Sequence, residues 1–379
     1  MHDFLIKELN NTNIETELKN IGFDTTYCKK ACAKFEYKNI KIFDLTVAQA
    51  NILKQTALSV GADCGTHKEV ITGKKEISSC ILGGSLSQLK KIAHKLQSQP
   101  FKLKKLSEQI LSIIETTPQN RTKIVGVLNL TNDSFSDGGN YFKKEDAIQH
   151  LNQLIQDGAD IIDIGAESTK PYSKEIPAFQ QLEKIIPILE YIKSNNINIP
   201  ISIDTRSAEV AQKCIALGAN IINDVSGLDF DSEMTNLIKN NPQIKIIIQH
   251  SKGTPEVMQD DTNYDNLMDD IFLTLNKKVN NAIKKGIKKE QIIIDPGLGF
   301  GKSKEQNLEI IKRWQEFKTI GCPIMLGLSR KSLLGMETST NEEKDLYTLA
   351  LNSILINQNI DYVRVHNVKT HKTLQNILK

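Results

Sequence analysis

The chain lacks a long hydrophobic run, a block of like charges and a high content of cysteine. In its 379 residues no apolar stretch approaches the ~18 residues of a membrane-spanning helix, and the first residues do not form a signal-peptide pattern. We therefore expect a soluble, cytoplasmic protein. Lys and Arg total 48, Asp and Glu total 45, and the basic residues are scattered, which argues against nucleic acid as the main partner.

The six cysteines are few for this length and, in a reducing cytoplasm, are expected to be buried thiols rather than disulfides. A zinc site is the alternative, because His67 follows Cys64 by three positions. Cys28 and Cys32 are poorly spaced for a zinc finger, however, and no second close pair follows them. The cysteines are therefore not predicted to bind metal.

The chain is predicted to have two domains. Residues 1–115 carry short mixed segments and two helical stretches, Ser85–Leu96 and Leu103–Ile114, which indicate a small α+β domain without a recognisable catalytic motif. Residues 116–118 are typical of a linker. Residues 120–379 follow a regular pattern and are long enough for one barrel of ~250 residues.

Apolar runs of strand length alternate with helical stretches throughout this second part. The predicted strands are Ile124–Leu130, Asp160–Ile164, Ile201–Ile203, Asn220–Ile222, Ile244–Ile248, Gln291–Ile294, Pro323–Leu326 and Tyr362–Val365. Helical periodicity lies between most of them, for example at Asp146–Asp157, Ala178–Ser194, Ala208–Leu217 and Leu267–Lys285. The pattern predicts an α/β fold, a (β/α)8 TIM barrel rather than a doubly wound open sheet, because no strand has the polar character of a sheet edge.

Polar residues follow every predicted strand. A single Asp after a strand is usually a helix N-cap and a single Arg is usually a surface charge, but capping alone does not explain polar residues at all of the strand ends. These ends form the mouth of a TIM barrel, where its active site lies. The residues concerned include Asn129, Glu167, Asp204, Asn223, Gln249, Asp295, Ser329 and Arg364.

The residue types at the mouth indicate two kinds of ligand group. Asp204, Asn223 and Asp295 offer carboxylate and amide groups, which suit a flat heterocycle with adjacent N–H donors. Arg364 and His366 follow the last strand, in the sector where TIM barrels commonly bind phosphate. The sequence therefore predicts one wall for a nitrogen heterocycle and another for anions.

The loop after the first strand is rich in oxygen ligands. Asn129, Asn132, Asp133 and Asp137 lie close together and could hold a hard cation such as Mg²⁺. An ordinary solvated turn is the alternative for such a cluster. The polar residues at the other strand ends favour the cation site.

Two further segments near the predicted mouth contain candidate ligand-binding residues. The glycine-rich segment 297–303 fits neither nucleotide-loop pattern, and we expect a tight turn that presents Phe300 as a ring for stacking on a ligand. Lys331 lies just before a predicted helix N-terminus, which is itself an anion site.

A series of motifs now identifies a resemblance to a known family. The motifs are NLTNDSFSDGG, GADIIDIGAESTKP, SIDT, INDVSG, DPGLGFGKS, GLSRKS and RVH, in the family's order. From about Lys123 onward the chain resembles the dihydropteroate synthases, pterin-binding barrel enzymes of folate biosynthesis. The resemblance implies that p-aminobenzoate condenses with 6-hydroxymethyl-7,8-dihydropterin diphosphate to give 7,8-dihydropteroate and pyrophosphate. It also implies Mg²⁺ as cofactor, a homodimer and a sulfonamide target.

The resemblance assigns roles to the residues of the pterin wall. The pterin ring is expected to contact Asp204, Asn223, Asp295 and Lys331. Asp204 is expected to face the ring and to stabilise the positive charge that develops when the diphosphate leaves. The expected catalytic residues are Asp204, Lys331 and Asp133.

The resemblance places the diphosphate and the second substrate on other residues. Asn129, Arg364 and His366 are expected to bind the diphosphate, with Asn129 also binding Mg²⁺. The expected p-aminobenzoate pocket contains Phe135, Thr169, Lys170, Phe300 and Ser332. The chain departs from the family pattern by having Asn132 for Pro, Lys170 for Arg, Gln249 for Met and Asn367 for Asp.

Two other functions stay open at this point. A methyltransferase that uses methyl-tetrahydrofolate shares the pterin barrel, but it has no need for the DSFSDGG loop or for Arg364 and His366. A non-catalytic pterin-binding paralogue is the other alternative. The joint presence of the polar residues assigned above argues against it.

Overall fold

The computed structural model describes residues 7, 9, 14–115, 121–131, 144–167, 175–253, 261–331 and 340–378. The chain separates into two compact units, Met1–Pro118 and Gln119–Lys379. The first has an α+β fold and the second is an α/β barrel, so the predicted fold class is confirmed. In the described ranges no helix is both long and apolar enough to cross a membrane.

Within its described residues the first unit has five helices and an antiparallel sheet of order β1-β3-β2. The strands are β1 (Tyr37–Thr46), β2 (Asp63–Gly65) and β3 (Ile77–Ser85). The helices are α1 (Ile14–Asn20), α2 (Cys28–Phe35), α3 (Val47–Leu58), α4 (Leu86–Leu96) and α5 (Leu103–Ile114). The six cysteines of the chain are free thiols, and all but Cys32 are buried.

Local sequence explains how the main helices of this unit begin. Thr46 caps α3 and Ser85 caps α4, and in each case a Gln three residues later completes a capping box. Strand β3 alternates exposed and buried residues, so one face of the sheet packs on these helices. Leu53, Leu82 and Ile92 are fully buried in the resulting core.

Eight parallel strands form the barrel of the second unit, in the order β10-β11-β4-β5-β6-β7-β8-β9. They are β4 (Lys123–Asn129), β5 (Ile161–Gly165), β6 (Ile201–Asp204), β7 (Ile221–Asp224), β8 (Lys245–Gln249), β9 (Ile292–Asp295), β10 (Met325–Leu326) and β11 (Tyr362–Val365). A parallel bridge between Ile294 and Ile324 joins the two ends of the sheet. The sheet is therefore closed, and the open-sheet alternative is wrong.

Helices alternate with these strands along the chain. They are α6 (Lys144–Gln156), α7 (Ala178–Ser194), α8 (Ala208–Ala216), α9 (Ser232–Asn240), α10 (Leu267–Lys284), α11 (Lys304–Arg313), α12 (Asn341–Asn357) and α13 (Val368–Ile377). Short 3₁₀ helices span Lys289–Gln291 and Trp314–Ile320. Most predicted bounds are off by one or two residues, and the seventh strand is shorter than predicted, because Pro323 has no N–H for a ladder hydrogen bond.

The interior of the barrel changes from apolar to polar along the strands. Its apolar layer consists of Val125, Ile161, Ile221, Ile247, Ile293, Met325 and Tyr362. Side chains two positions further along a strand lie on the same face. The residues that follow this layer toward the C-terminal strand ends therefore also face the interior, and these are the polar residues of the site.

Candidate active site

The ends of four neighbouring strands form one row at the mouth. Asn129 pairs with Gly165, Gly165 with Asp204, and Asp204 with Asn223, so the row faces the barrel interior. A Cβ on Gly165 would lie 3.3 Å from the Asp204 Cβ and 3.8 Å from Asn129 Oδ1. The absence of a side chain at Gly165 thus leaves space between an amide oxygen and a carboxylate.

A buried ion-pair cluster lies directly below this row. Arg364 Nη2 donates to Asp204 Oδ2 at 2.8 Å, and Arg364 Nε lies 2.6 Å from Asp163 Oδ2. Asn223 Nδ2 donates to the same Asp163 oxygen at 3.3 Å. The Arg364 side chain is 16% exposed, that of Asp163 1% and that of Asp204 6%. One guanidinium therefore pairs with two carboxylates that are both removed from water.

Sequence reasoning missed Asp163. The residue stands inside β5, between Ile162 and Ile164, where the apolar run predicts only a buried strand. A carboxylate in an otherwise apolar strand was the available signal, because a buried charge requires a partner. Asp163 lies two residues before Gly165, on the same face.

Burial controls the ionisation of the two strand-end carboxylates. It raises the pKa of Asp204 to about 7, although Arg364 acts in the opposite direction. Burial also raises the pKa of Asp295, against the opposing effect of Lys331. Both acids were predicted site residues, and both are almost completely buried at the mouth.

Lys331 and Phe300 lie together at the β9 side of the mouth. Lys331 Nζ donates to the carbonyl of Leu298 at 2.6 Å and lies 4.5 Å from the centroid of the Phe300 ring. Burial lowers the pKa of Lys331 to about 8. Phe300 is only 4% exposed and packs on Val225. The expectation of an open stacking surface at Phe300 is therefore corrected, because the ring is buried and a cation lies close to it.

The turn after β9 is held by a buried lysine that the sequence analysis did not single out. Lys302 Nζ donates to the carbonyls of Gly297 and Phe300, both at 2.9 Å, and lies 3.1 Å from His250 Nδ1. Gly297 has φ +71°, and a Cβ there would lie 1.9 Å from the His250 carbonyl oxygen. The glycine-rich segment is thus the tight turn that was predicted, and Asp295 Oδ1 accepts from the Gly297 N–H at 2.7 Å.

His366 follows β11 and contacts Ser329. Its Nδ1 is 3.0 Å from Ser329 Oγ, and its backbone N–H donates to the same oxygen at 3.1 Å. Burial, reinforced by Arg330 and Arg364, lowers the pKa of His366 to about 3. The ring is therefore neutral at physiological pH and can offer an anion a hydrogen bond but no charge.

Arg330 is already committed to a carboxylate on α12. Its Nε and Nη2 donate to the two oxygens of Asp345, both at 2.7 Å. Asn367, where the family usually has Asp, lies 3.4 Å from one of these oxygens through its Nδ2 and also caps α13 through Thr370 N–H. An amide at this position donates to Asp345, whereas a carboxylate would repel it.

The metal expectation rests on Asn129 and on a loop outside the described residues. Asn129 Oδ1 is a hard oxygen donor at the mouth. Among the described side chains, no group of three or more His, Cys, Asp or Glu is arranged to hold a metal ion. Mg²⁺ usually needs only one or two protein oxygens, with water and phosphate oxygens completing its shell, so the donor set fits that ion.

Several predicted site residues lie outside the described residues. They are Asp133, Phe135, Thr169, Lys170 and Ser332. The structure brings together Asn129, Asp204, Asn223, Asp295, Lys331, Phe300 and Arg364 at the mouth.

Four polar atoms at this mouth are buried without a hydrogen-bond partner in the described part of the chain. They are Asp163 Oδ1, Asn223 Oδ1, Gln249 Nε2 and Arg364 Nε, and the last of these lies 2.6 Å from Asp163 Oδ2 as an ion pair. An unsatisfied buried polar atom costs about 1–3 kcal/mol, so a site with two free acceptors and one free donor favours a ligand with complementary groups. A flat heterocycle with N–H donors and a ring acceptor meets this requirement.

Comparison with known proteins identifies relatives of the barrel and of the whole chain. The family described as pterin binding enzyme matches residues 125–366. The dihydropteroate synthase of Clostridium beijerinckii is 41% identical over 250 residues, which cover 65% of this chain and 90% of that protein. A bifunctional dihydropteroate synthase/dihydropteroate reductase of Helicobacter pylori is 32% identical over 378 residues, which cover 99% of this chain and 98% of that protein.

One group of relatives is much longer than this chain. A probable bifunctional folylpolyglutamate synthase/dihydropteroate synthase of Haloferax volcanii is 32% identical over 353 residues. The match covers 87% of this chain but only 41% of that protein.

Solved structures agree with the family match. The dihydropteroate synthase of Clostridium difficile, crystallised in the presence of pteroic acid, is 38% identical with a TM-score of 0.63, covering 69% of this chain and 98% of that one. The Yersinia pestis dihydropteroate synthase in a sulfonamide drug complex is 30% identical with a TM-score of 0.64, and the match covers 68% of this chain and 93% of that one. With the barrel, the buried polar mouth and these matches together, the chain belongs to the dihydropteroate synthase family of pterin-binding enzymes.

Proposed function

We propose that this chain condenses p-aminobenzoate with 6-hydroxymethyl-7,8-dihydropterin diphosphate, giving 7,8-dihydropteroate and pyrophosphate. The observation that carries the proposal is the buried cluster of Asp163, Asp204 and Arg364 at the mouth of a barrel of this family. Its acids suit a heterocycle that becomes cationic, and its guanidinium suits an anionic leaving group.

At the pterin end, Asn223 and Asp295 accept hydrogen bonds from the ring N–H groups, and Lys331 donates to a ring acceptor. Asp204 faces the ring and, when ionised, stabilises positive charge that develops as the C–O bond to the diphosphate breaks. The low-polarity surroundings of Asp204, which is 6% exposed, strengthen this electrostatic effect. The aniline nitrogen of p-aminobenzoate then attacks the exocyclic carbon of the pterin cation and loses its proton.

At the diphosphate end, Arg364 supplies the positive charge, and Asn129 and the neutral His366 supply hydrogen-bonding groups. To reach the diphosphate, Arg364 must leave Asp204, to which it donates at 2.8 Å. Its departure frees the Asp204 carboxylate for the ring. Mg²⁺ would be held by Asn129 and substrate oxygens, and when bound it supplies further neutralisation of the leaving group.

The p-aminobenzoate end is assigned to the loops around the mouth. Asp133 is proposed as a catalytic residue of the first loop, and Phe135, Thr169, Lys170 and Ser332 are proposed to complete the pocket. Sulfonamides resemble p-aminobenzoate in size and charge distribution, so they should compete for the same pocket.

Pyrophosphate release that depends on p-aminobenzoate tests the proposed function. The purified chain with the pterin diphosphate and Mg²⁺ should release pyrophosphate only when p-aminobenzoate is added, and D204N should slow the release at least about a hundredfold. Release without p-aminobenzoate, or no release in a folded protein that binds the pterin, would contradict it. Transfer of the methyl group of methyl-tetrahydrofolate to an added methyl acceptor would support the methyltransferase alternative instead.

A second candidate activity is reduction of the dihydropterin product. The observation that favours it is the match to the Helicobacter pylori bifunctional protein, which includes the first unit as well as the barrel and covers 99% of this chain. The reaction would deliver a hydride to C6 and a proton to N5 of dihydropteroate, with a reduced nicotinamide or flavin as the donor. Oxidation of such a donor that depends on dihydropteroate would support the activity, and its absence with all three donors NADH, NADPH and reduced flavin would exclude it.

The chain is also proposed to form a homodimer through α12. Leu346 is 64% exposed, and Ile354, two turns later on the same helix, is 42% exposed. L346E should convert a dimer to a monomer in sedimentation experiments. An unchanged sedimentation coefficient would exclude this face.

The cytoplasmic location stays a prediction from the sequence.

A further inference from the structure

Gln249 is a polar side chain at the mouth to which no role has yet been given. It is the last residue of β8 and is 4% exposed. Ile247, two positions earlier, belongs to the apolar interior layer, so Gln249 points into the barrel above that layer. Its direct neighbour in the adjacent strand is Asp295, one of the proposed pterin ligands.

The amide of Gln249 is held in place by packing but lacks a partner. Its Cγ lies 3.3 Å from the position that a Cβ on Gly297 would take, so the side chain runs along the turn that follows Asp295. Its Nε2 is buried, and no described group accepts a hydrogen bond from it. A buried N–H donor without an acceptor costs about 1–3 kcal/mol.

A second glutamine of the barrel has the same burial, but its amide N–H group is fully hydrogen-bonded. Gln291 precedes β9 and is also 4% exposed. Its Nε2 donates to the carbonyls of Ile238, Asn241 and Ile244 at 3.1, 3.2 and 2.8 Å. Gln291 therefore stabilises the fold through these hydrogen bonds, whereas Gln249 is equally buried and its Nε2 makes no hydrogen bond to a described group.

We propose that Gln249 donates a hydrogen bond from Nε2 to an acceptor atom on the edge of the bound pterin. This inference rests on the proposed function. Asn223 and Asp295 are proposed to accept hydrogen bonds from ring N–H groups. A donor beside them can bind an acceptor atom on the same edge of the heterocycle. At this position the family usually has Met, which cannot donate, so the contact is a specificity-determining feature of this chain.

Isothermal titration with 6-hydroxymethylpterin tests the assignment in the full-length protein. Q249M, which removes the donor at similar volume, should raise the Kd about tenfold. The same variant should keep or raise the melting temperature without ligand, because an unsatisfied buried amide is lost. Q249E, which presents an acceptor instead of a donor, should weaken binding further.

Q291M is the matched control. It should lower the melting temperature, because three backbone carbonyls lose their donor, and should leave the pterin Kd of the folded protein unchanged. Wild-type Kd in Q249M, or tighter binding in Q249E, would overturn the assignment. If the wild-type protein itself does not bind the pterin, the proposed function fails rather than the role of Gln249.

Discussion

Removal of the Arg364 charge should destabilise the barrel more than removal of any partly exposed arginine. Arg364 is the cation for Asp163 and Asp204, whose side chains are 1% and 6% exposed. Breaking a buried ion pair by removing one partner costs about 3–5 kcal/mol, because a charge remains buried without compensation. R364Q leaves two such carboxylates, so we expect a loss of about 3–5 kcal/mol in the free energy of unfolding at pH 8.

The loss should depend on pH in a defined direction. Burial already raises the pKa of Asp204 to about 7, and without Arg364 it rises further above the unfolded value of about 4. When the pKa of a carboxyl is raised on folding, the free energy of unfolding of the protein falls as pH rises, because the unfolded chain releases the proton at a lower pH than the folded chain does. The difference in the free energy of unfolding between R364Q and the wild-type protein should therefore be smaller at pH 5 than at pH 8.

Urea unfolding followed by tryptophan fluorescence measures this effect in the barrel alone. The chain has one tryptophan, and Trp314 is fully buried in the second unit. R330Q is the control, because Arg330 is 31% exposed and pairs with a single carboxylate, that of Asp345, so its loss should cost less than the loss of Arg364. The double variant D163N/R364Q should recover part of the loss. A small, pH-independent effect of R364Q, equal to that of R330Q, would refute the role given to Arg364.

Three further predictions concern binding, catalysis and the first unit. D295A should weaken pterin binding by about 2–4 kcal/mol in calorimetry, because the ring donors lose a buried acceptor; unchanged affinity would mean that Asp295 does not contact the ring. Because burial raises the pKa of Asp204 to about 7, kcat/KM for the pterin diphosphate should fall as pH decreases below 7, and D204N should remove that limb of the pH profile. A chain beginning at Gln119 should still release pyrophosphate, and a folded but inactive truncation would show that residues before it are needed for the reaction.

The sequence predicted the fold and the strand-end residues because both depend on local patterns. Alternating apolar runs and helical stretches identify strands and helices, and the last residue of a strand in a TIM barrel necessarily lies at the mouth. Asn129, Asp204, Asn223 and Asp295 were found in this way, and the structure places them at the mouth.

The pairing of charges could not be obtained from the same patterns. Arg364 and Asp204 are 160 positions apart in the chain, and only the closed sheet brings them together. Asp163 was missed because a fully buried strand has no alternation that marks a functional position. Phe300 and His366 were placed near the correct strands, but their burial, and with it the neutral state of His366, depends on packing between distant segments.

The central claim is that a pterin binds at the polar mouth of the barrel and takes the place of Arg364 beside Asp204. A crystal structure of the protein with 6-hydroxymethylpterin and pyrophosphate tests it most directly. We expect ring nitrogens within 3.2 Å of Asn223 and Asp295, as for ordinary hydrogen bonds, and Arg364 turned from Asp204 toward the pyrophosphate. A pterin bound elsewhere, with the Arg364–Asp204 pair intact, would contradict the account.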